Sequence, residues 1–120
     1  MTNNEDIERW STQLRKGLAE LCVLAAIHRL REVYGYQLIQ FLHEQGGLEL
    51  TESTVYPLLA RLAREGHLQV RSAASPSGPP RRYYSLTASG KRLLKGMTDH
   101  WKLVSQSIHP ILFLDDCPET

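Results

Sequence analysis

Long apolar runs are scarce in this 120-residue sequence. The longest, Leu21 to Ile27, falls far short of the roughly 20 residues a helix needs to cross a bilayer, and Met1 is followed by polar and acidic residues, unlike a secretory signal. No membrane partner is expected, and the location is expected to be cytoplasmic. Cysteine is equally sparse: Cys22 lies inside the apolar run and Cys117 in an acidic tail, a pair that makes neither a disulfide framework nor a metal-ligand cluster. His28, His43, His67, His100 and His109 never fall at metal-ligand spacing with one another, and His109 with Asp115, Asp116 and Cys117 forms only a loose tail cluster. There is no phosphate-cradling glycine loop, nucleophile elbow or carboxylate pair. Metal, cofactor and enzyme activity are therefore not expected.

What is present is ordinary in amount and uneven in placement. A hydrophobic share of 42% and a charged share of 22% suit a globular chain and argue against disorder. The length allows one domain with a modest core and an appended helix. The net charge of +1 hides an asymmetry. From Arg61 to Lys102 there are nine Lys or Arg and two acids, a balance of +7, while the remainder holds five basic and eleven acidic residues, a balance of −6. A basic segment on a small domain suits a polyanion partner, although a solvated surface is the plainer reading of any charge run.

Periodicity organises the chain into helices and a hairpin. Asn4 can cap a short helix with Glu5 and Asp6 in its first turn and Ile7, Trp10 and Leu14 on one side. A second helix, from about Leu14 to Arg31, carries Leu14, Leu18, Leu21, Ala25 and His28 on one stripe, with Leu24 and Ile27 widening it. Tyr34-Gly35-Tyr36 opens a third, in which Leu38, Ile39 and Leu42 face inward until Gly46-Gly47 stops it. Thr51 then caps a helix with Val55, Leu58, Leu59 and Leu62 at amphipathic spacing, ended by Gly66. Leu68 and Val70 alternate with polar neighbours, residues 72–80 are rich in Ser, Pro and Gly, and Arg81 to Leu86 reads as a returning strand. Tyr83 and Tyr84 then point to opposite faces, one toward the core.

Thr87 caps a last helix in which Gly90, Leu94, Met97, Trp101, Val104, Ile108 and Ile111 alternate steps of four and three. Such a seam can join two copies or pack on the chain's own core. A terminal helix this long exceeds what a small core covers, which favours a dimer through Leu94, Met97, Trp101, Val104 and Ile108. Pro110 predicts a kink or an end near His109.

Helix, helix, turn, helix and basic-flanked hairpin is the order of a winged helix-turn-helix. The predicted fold class is mainly α with a small β-hairpin. Residues 1–13 read as an N-terminal helix or arm, 14–87 as the winged unit, 88–113 as a dimerisation helix and 114–120 as an acidic tail. A major groove admits one α-helix, and a hairpin tip can reach neighbouring phosphates. Ser53, Thr54, Tyr56, Pro57, Ala60, Arg61 and Arg64 lie on the outward side of the helix after Thr51, offering hydroxyls, a small apolar contact and cations to double-stranded DNA. A solvated helix face would look the same in isolation. Pro57 removes a backbone donor about one turn in, and is assigned no role beyond contact.

Four motifs carry a family resemblance. Leu14-Arg15-Lys16-Gly17 with its apolar helix; Tyr34-Gly35-Tyr36; Thr54-Val55-Tyr56-Pro57-Leu58-Leu59 with Arg61-Leu62 and Glu65-Gly66; and Arg81-Arg82-Tyr83-Tyr84-Ser85-Leu86-Thr87 followed by Gly90 resemble the PadR family of bacterial transcriptional regulators. The resemblance spans about residues 14–112 and departs from many members at Val55, where they carry Leu. It implies a homodimer joined through the last helix, bound to a two-fold operator as a repressor and released by a small aromatic or drug-like effector. The single short C-terminal helix looks like the family's smaller subclass. Helix-face geometry and the family's positions together assign base or groove contacts to Tyr56 and Arg61, and phosphate contacts to Lys16, Tyr36, Arg81 and Arg82. Trp101, between Met97 and Val104 on the seam, is expected near the dimer centre in a hydrophobic effector pocket, with Met97 beside it and Trp10 as a further wall. The resemblance adds that small-subclass members bind planar aromatics between tryptophans at a comparable place. The competing function is a winged-helix protein-interaction adapter without operator binding, which accounts for the fold order and the seam alone.

Overall fold

The structure, a computed structural model, describes residues 4–113. The expected acidic tail lies outside the described residues. Helix α1 (Asn4–Leu30) leads into strand β1 (Val33–Tyr34) and helix α2 (Gly35–Glu44); α3 (Glu52–Arg64), β2 (Leu68–Ala73), β3 (Arg81–Leu86) and α4 (Ala88–Leu112) follow.

The first two predicted helices are one. Between Ser11 and Gln13 there is no Pro or Gly, and Ser11 Oγ donates to the Glu8 carbonyl at 3.1 Å, so its hydroxyl is satisfied inside the helix and opens no turn. The predicted stripe also shifts. Ala19, Val23, Leu24, Ala26 and Ile27 face the core, while Ala25 and His28 are exposed. Leu14, Leu18 and Leu21 turn instead toward α4. The helix carries two apolar stripes, because it is packed on one side by α2 and α3 and flanked on another by α4.

The core is wholly apolar among the described residues. Leu24, Ile27, Leu38, Leu42, Leu59 and Leu62 are its largest fully buried side chains, drawn from α1, α2 and α3. The sheet is antiparallel in the order β1-β3-β2, with Leu68 opposite Leu86, Ala73 opposite Arg81 and Val33 opposite Tyr84. Strand β1 is an addition to the predicted hairpin: two residues ahead of a helix carry no period, and only pairing with β3 defines them as strand. Tyr84 is buried and Tyr83 half-buried, in line with their opposite faces.

A left-handed turn explains one glycine and a close contact another. Helix α3 ends in a Schellman arrangement, in which Gly66 at φ +86 donates to Ala63 and His67 donates to Leu62. The start of α4 docks on that turn. Thr87 donates its backbone N–H to the His67 carbonyl and its hydroxyl to the Gly66 carbonyl at 2.7 Å, and accepts from Gly90 N at 3.0 Å. A Cβ on Gly90 would overlap the His67 carbonyl oxygen. Gly90 therefore belongs to this docking and not to the predicted seam. Helix α4 also runs past Pro110, with Phe113 N–H donating to the His109 carbonyl. One missing donor in the last turn does not end it. Toward its end, past Ser105, the helix is uncovered: Ile111 is 69% and Leu112 66% exposed. The radius of gyration of 17.5 Å exceeds the roughly 13–14 Å of a compact chain of this length.

Candidate nucleic-acid interface and apolar groove

Three separate segments meet at one cleft of about 270 Å³: Tyr36 from the first turn of α2, Tyr56 from α3, and Arg81 and Arg82 from β3. The Tyr56 ring lies directly against Gly35, where a Cβ would come within 2.5 Å of it. That close approach is why the Tyr34-Gly35-Tyr36 motif needs glycine at its centre. Burial, and then the nearby Glu52 carboxylate and Tyr84 hydroxyl, raise the Tyr56 phenol above its ordinary range, so it remains a protonated donor at neutral pH. Tyr36 accepts from Gln40 Nε2 at 3.0 Å, which leaves its own proton free to donate outward.

The cleft is braced from the sheet. The Arg81 guanidinium lies 4.3 Å from the centre of the Tyr34 ring, Tyr34 meets Tyr83 edge-on at 5.5 Å, and Arg71 lies 5.0 Å over Tyr83. Arg71 closes this ladder with a two-pronged contact to Glu32 at 2.8 and 2.9 Å. The hydrogen bond from Arg71 holds the Glu32 carboxyl below its usual range, and its partner is raised in turn. Sequence reasoning missed Tyr34, Arg71 and Glu32 as supports, since their contacts depend on the unforeseen strand β1. The wing loop, residues 74–80, is gathered around Ser75 Oγ, which lies within 3.3 Å of the carbonyl oxygens of Ser77, Gly78 and Pro79 and has one proton to share among them.

The other expected DNA residues divide. Ser53 and Pro57 are exposed on α3 and Thr54 is half-buried. Thr51, though in the N-cap position, makes no cap bond to the backbone; its hydroxyl pairs with that of Ser53 at 2.9 Å. Lys16 is exposed on α1 and lies outside the cleft lining. Arg61 is turned to α1, with its guanidinium on Glu20 at 2.9 Å and Glu65 at 3.1 Å.

A second feature lies between α1 and α4, an apolar groove of about 720 Å³. Leu14, Leu18 and Leu21 form one wall, and Met97, Trp101 and Val104 the other. Met97 and Trp101 thus sit together in the groove, with His100 and Arg92 as polar neighbours. Trp10 is 60% exposed and outside the lining. Leu94 faces inward onto the core cluster, while Trp101 and Ile108 are exposed. Gly17 and Gly96 also line the groove, and nothing in the protomer comes within 4 Å of a Cβ placed on either. No three His, Cys, Asp or Glu among the described residues could hold a metal ion, and no described helix is long and apolar enough to cross a membrane. Cys22 is a half-buried free thiol whose pKa burial raises.

A family model for PadR-like transcriptional regulators matches residues 23–96, more than half of the chain. The chain belongs to the PadR-like family. A PadR-like transcriptional regulator from Bacillus cereus is 36% identical, with 84% of this chain and 97% of that one covered at a TM-score of 0.74. A PadR-like transcription factor from Bacteroides fragilis is 35% identical over 86% of this chain and 98% of its own, at a TM-score of 0.70. A PadR family regulator from Eggerthella lenta is 27% identical but closer in shape, with a TM-score of 0.82 over 92% of this chain and 95% of that one. No curated protein sequence matches significantly. In this PadR-like regulator the family match takes in the core apart from Ala19, together with α2, α3 and the wing. It leaves out the N-terminal part of α1 and the distal part of α4, where the uncovered apolar residues lie.

Proposed function

We propose that this PadR-like chain is a repressor that binds a two-fold operator as a homodimer and is released by a small hydrophobic or aromatic effector. Such a regulator works in the bacterial cytoplasm, where its DNA is. The observation that carries the DNA reading is the cleft gathering Tyr36, Tyr56, Arg81 and Arg82 from three segments, beside the exposed Ser53 and Pro57 of α3. In this reading α3 enters the major groove, Tyr56 contacts the groove, and Tyr36, Arg81, Arg82 and Lys16 hold flanking phosphates.

The homodimer is supported by the uncovered apolar side chains of α4, chiefly Trp101, Leu103, Ile108 and Ile111, with Ile7 and Trp10 of α1. Burying such surface contributes about 25 cal/mol per Å², and a second copy offers the same stripe. Gly17 and Gly96 support an occupant of the groove: each costs a helix about 1 kcal/mol, and no close contact within the protomer requires either. An effector there acts only by favouring a spacing of the two α3 helices unlike the operator-bound one.

Footprinting on the DNA upstream of the chain's own gene, followed by salt titration, tests the DNA reading. Replacing Arg81 and Arg82 by Ala should weaken binding across sequences and flatten the salt slope by about one unit per lost phosphate contact. An unaltered slope removes the wing from the interface, and protection of no sequence removes the operator.

A further inference from the structure

The recognition helix has a tie to α1 that no outward-facing residue shares. One terminal nitrogen of Arg61 donates to Glu65 one turn along α3, and the other donates to Glu20 at 2.9 Å across the boundary between helices. The pair joins residues 41 apart in sequence, whereas Arg9–Asp6 and Lys95–Asp99 stay within one helix. The guanidinium lies between two carboxylates, so the cluster carries an excess negative charge and repels phosphate. An arginine that reads guanine presents its fork to the base edge. Here both terminal nitrogens are already engaged inside the protein.

The buried residues that α1 and α3 contribute to the shared core, among them Leu24, Ile27, Val55, Leu59 and Leu62, are apolar. Hydrophobic contact holds helices together without choosing a direction, while a charge-assisted hydrogen bond has a defined length and angle. Glu20 is also well placed on its own helix. Its neighbour Ala19 is in the core, and Leu18 and Leu21 line the groove shared with α4. One turn of α1 therefore touches the core, the groove and the recognition helix.

We propose that Arg61 is a positioning residue: acting through Glu20, it sets the placement of α3 on α1, so that the recognition helix follows α1. The proposal rests on the reading of α3 as the DNA-contacting helix. It replaces the base-reading role that the outward spacing of Arg61 suggested. It also makes α1 the element through which a change in the groove reaches the DNA face.

The test uses full-length protein and duplex DNA that the wild type selects from a random pool. Arg61→Ala, Arg61→Glu and Glu20→Arg are expected to lose roughly 3- to 30-fold in affinity for the selected site. In Arg61→Ala, which introduces no new charge, and in the charge-neutral swap of the two side chains, the slope against salt and the base preference at each position should stay those of wild type, because no DNA contact has been removed. The swap Glu20→Arg with Arg61→Glu should restore affinity to within a few-fold of wild type, and melting temperatures should differ little throughout. A swap no better than the single variants overturns the proposal. So does an Arg61→Ala variant that keeps full affinity, or one that flattens the salt slope by about one unit and relaxes preference at one base pair. Amide hydrogen exchange across α3 in DNA-free protein should rise in the single variants and fall back in the swap. If wild type selects no DNA, the regulator reading has failed, and this exchange measurement alone decides the tie: unchanged exchange in α3 overturns it.

Discussion

Helices α3 and α4 are written in the same code and meet different fates. Both have a clear apolar stripe, both follow a threonine in the cap position, and both contain a proline. Yet α3 buries Val55, Leu59 and Leu62 within its own chain, while of α4 only Gly90 is buried. The stripe of α3 is closed over by α1, α2 and β2. That of α4 lies beside α1 and β3 over its first part, and then runs beyond the core with Ile108 and Ile111 exposed. An amphipathic pattern thus states that a face is to be covered, and leaves open by what.

The contrast can be broken at its extremes. Leu59→Ala should cost about 2–5 kcal/mol in chemical unfolding, since it opens a cavity in a fully buried site. Ile108→Ala, on the exposed end of α4, should leave the unfolding of a diluted monomer almost unmoved. A comparable loss at both positions would show that the distal part of α4 is closed within the protomer after all. Next in size is the effect on assembly. Ile108→Asp together with Val104→Asp should convert a sedimenting dimer to folded monomer; a dimer that survives both charges would shift the interface away from the α4 stripe.

The groove gives an intermediate test. Titration with planar aromatic or cationic dyes should quench tryptophan emission in wild type and lose most of that response in Trp101→Ala, provided the variant remains dimeric. Equal dye affinity in the two proteins would return Trp101 to plain packing. The smallest effect belongs to the surface ladder of the winged unit. Arg71 lowers the Glu32 pKa in the folded state, so this pair adds stability above the ordinary carboxylate range and loses it as pH falls through the lowered folded value. The stability difference between wild type and Glu32→Gln should therefore be small at pH 7 and fade in acid. A difference that grows as the pH falls contradicts the assigned pairing. The α4 stripe, being apolar, should show no such titration.

Much of the winged unit was legible because its signals are local. Thr87 lies three residues before the amide it caps, and Gly66 sits at the one position where α3 turns left-handed. Ser11 and Thr12 show the converse. The break expected between residues 13 and 14 does not occur, and both lie within one continuous α1; Ser11 is tolerated there because its hydroxyl bonds back to the Glu8 carbonyl, and Thr12 accepts from Arg15. At the cleft, the residue types of Tyr36, Tyr56, Arg81 and Arg82 could be picked out, while the pairing of Arg61 with Glu20 could not, because helical spacing registers direction from one axis and not what stands opposite.

The sequence by itself determined the order of helices and hairpin, the apolar faces of α2 and α3, the cap at Thr87 and the concentration of positive charge after Arg61. Each depends on residues within a turn or two of one another, or on composition. Only the tertiary structure decided that Val33 and Tyr34 form a strand, that Gly35 makes room for Tyr56 and Gly90 for the His67 carbonyl, and that Leu14, Leu18 and Leu21 face α4 and not the core. It alone brought Glu20 to Arg61 and separated a covered stripe from an uncovered one. These outcomes depend on which distant surface arrives opposite a residue, and periodicity along one helix or strand carries no record of that.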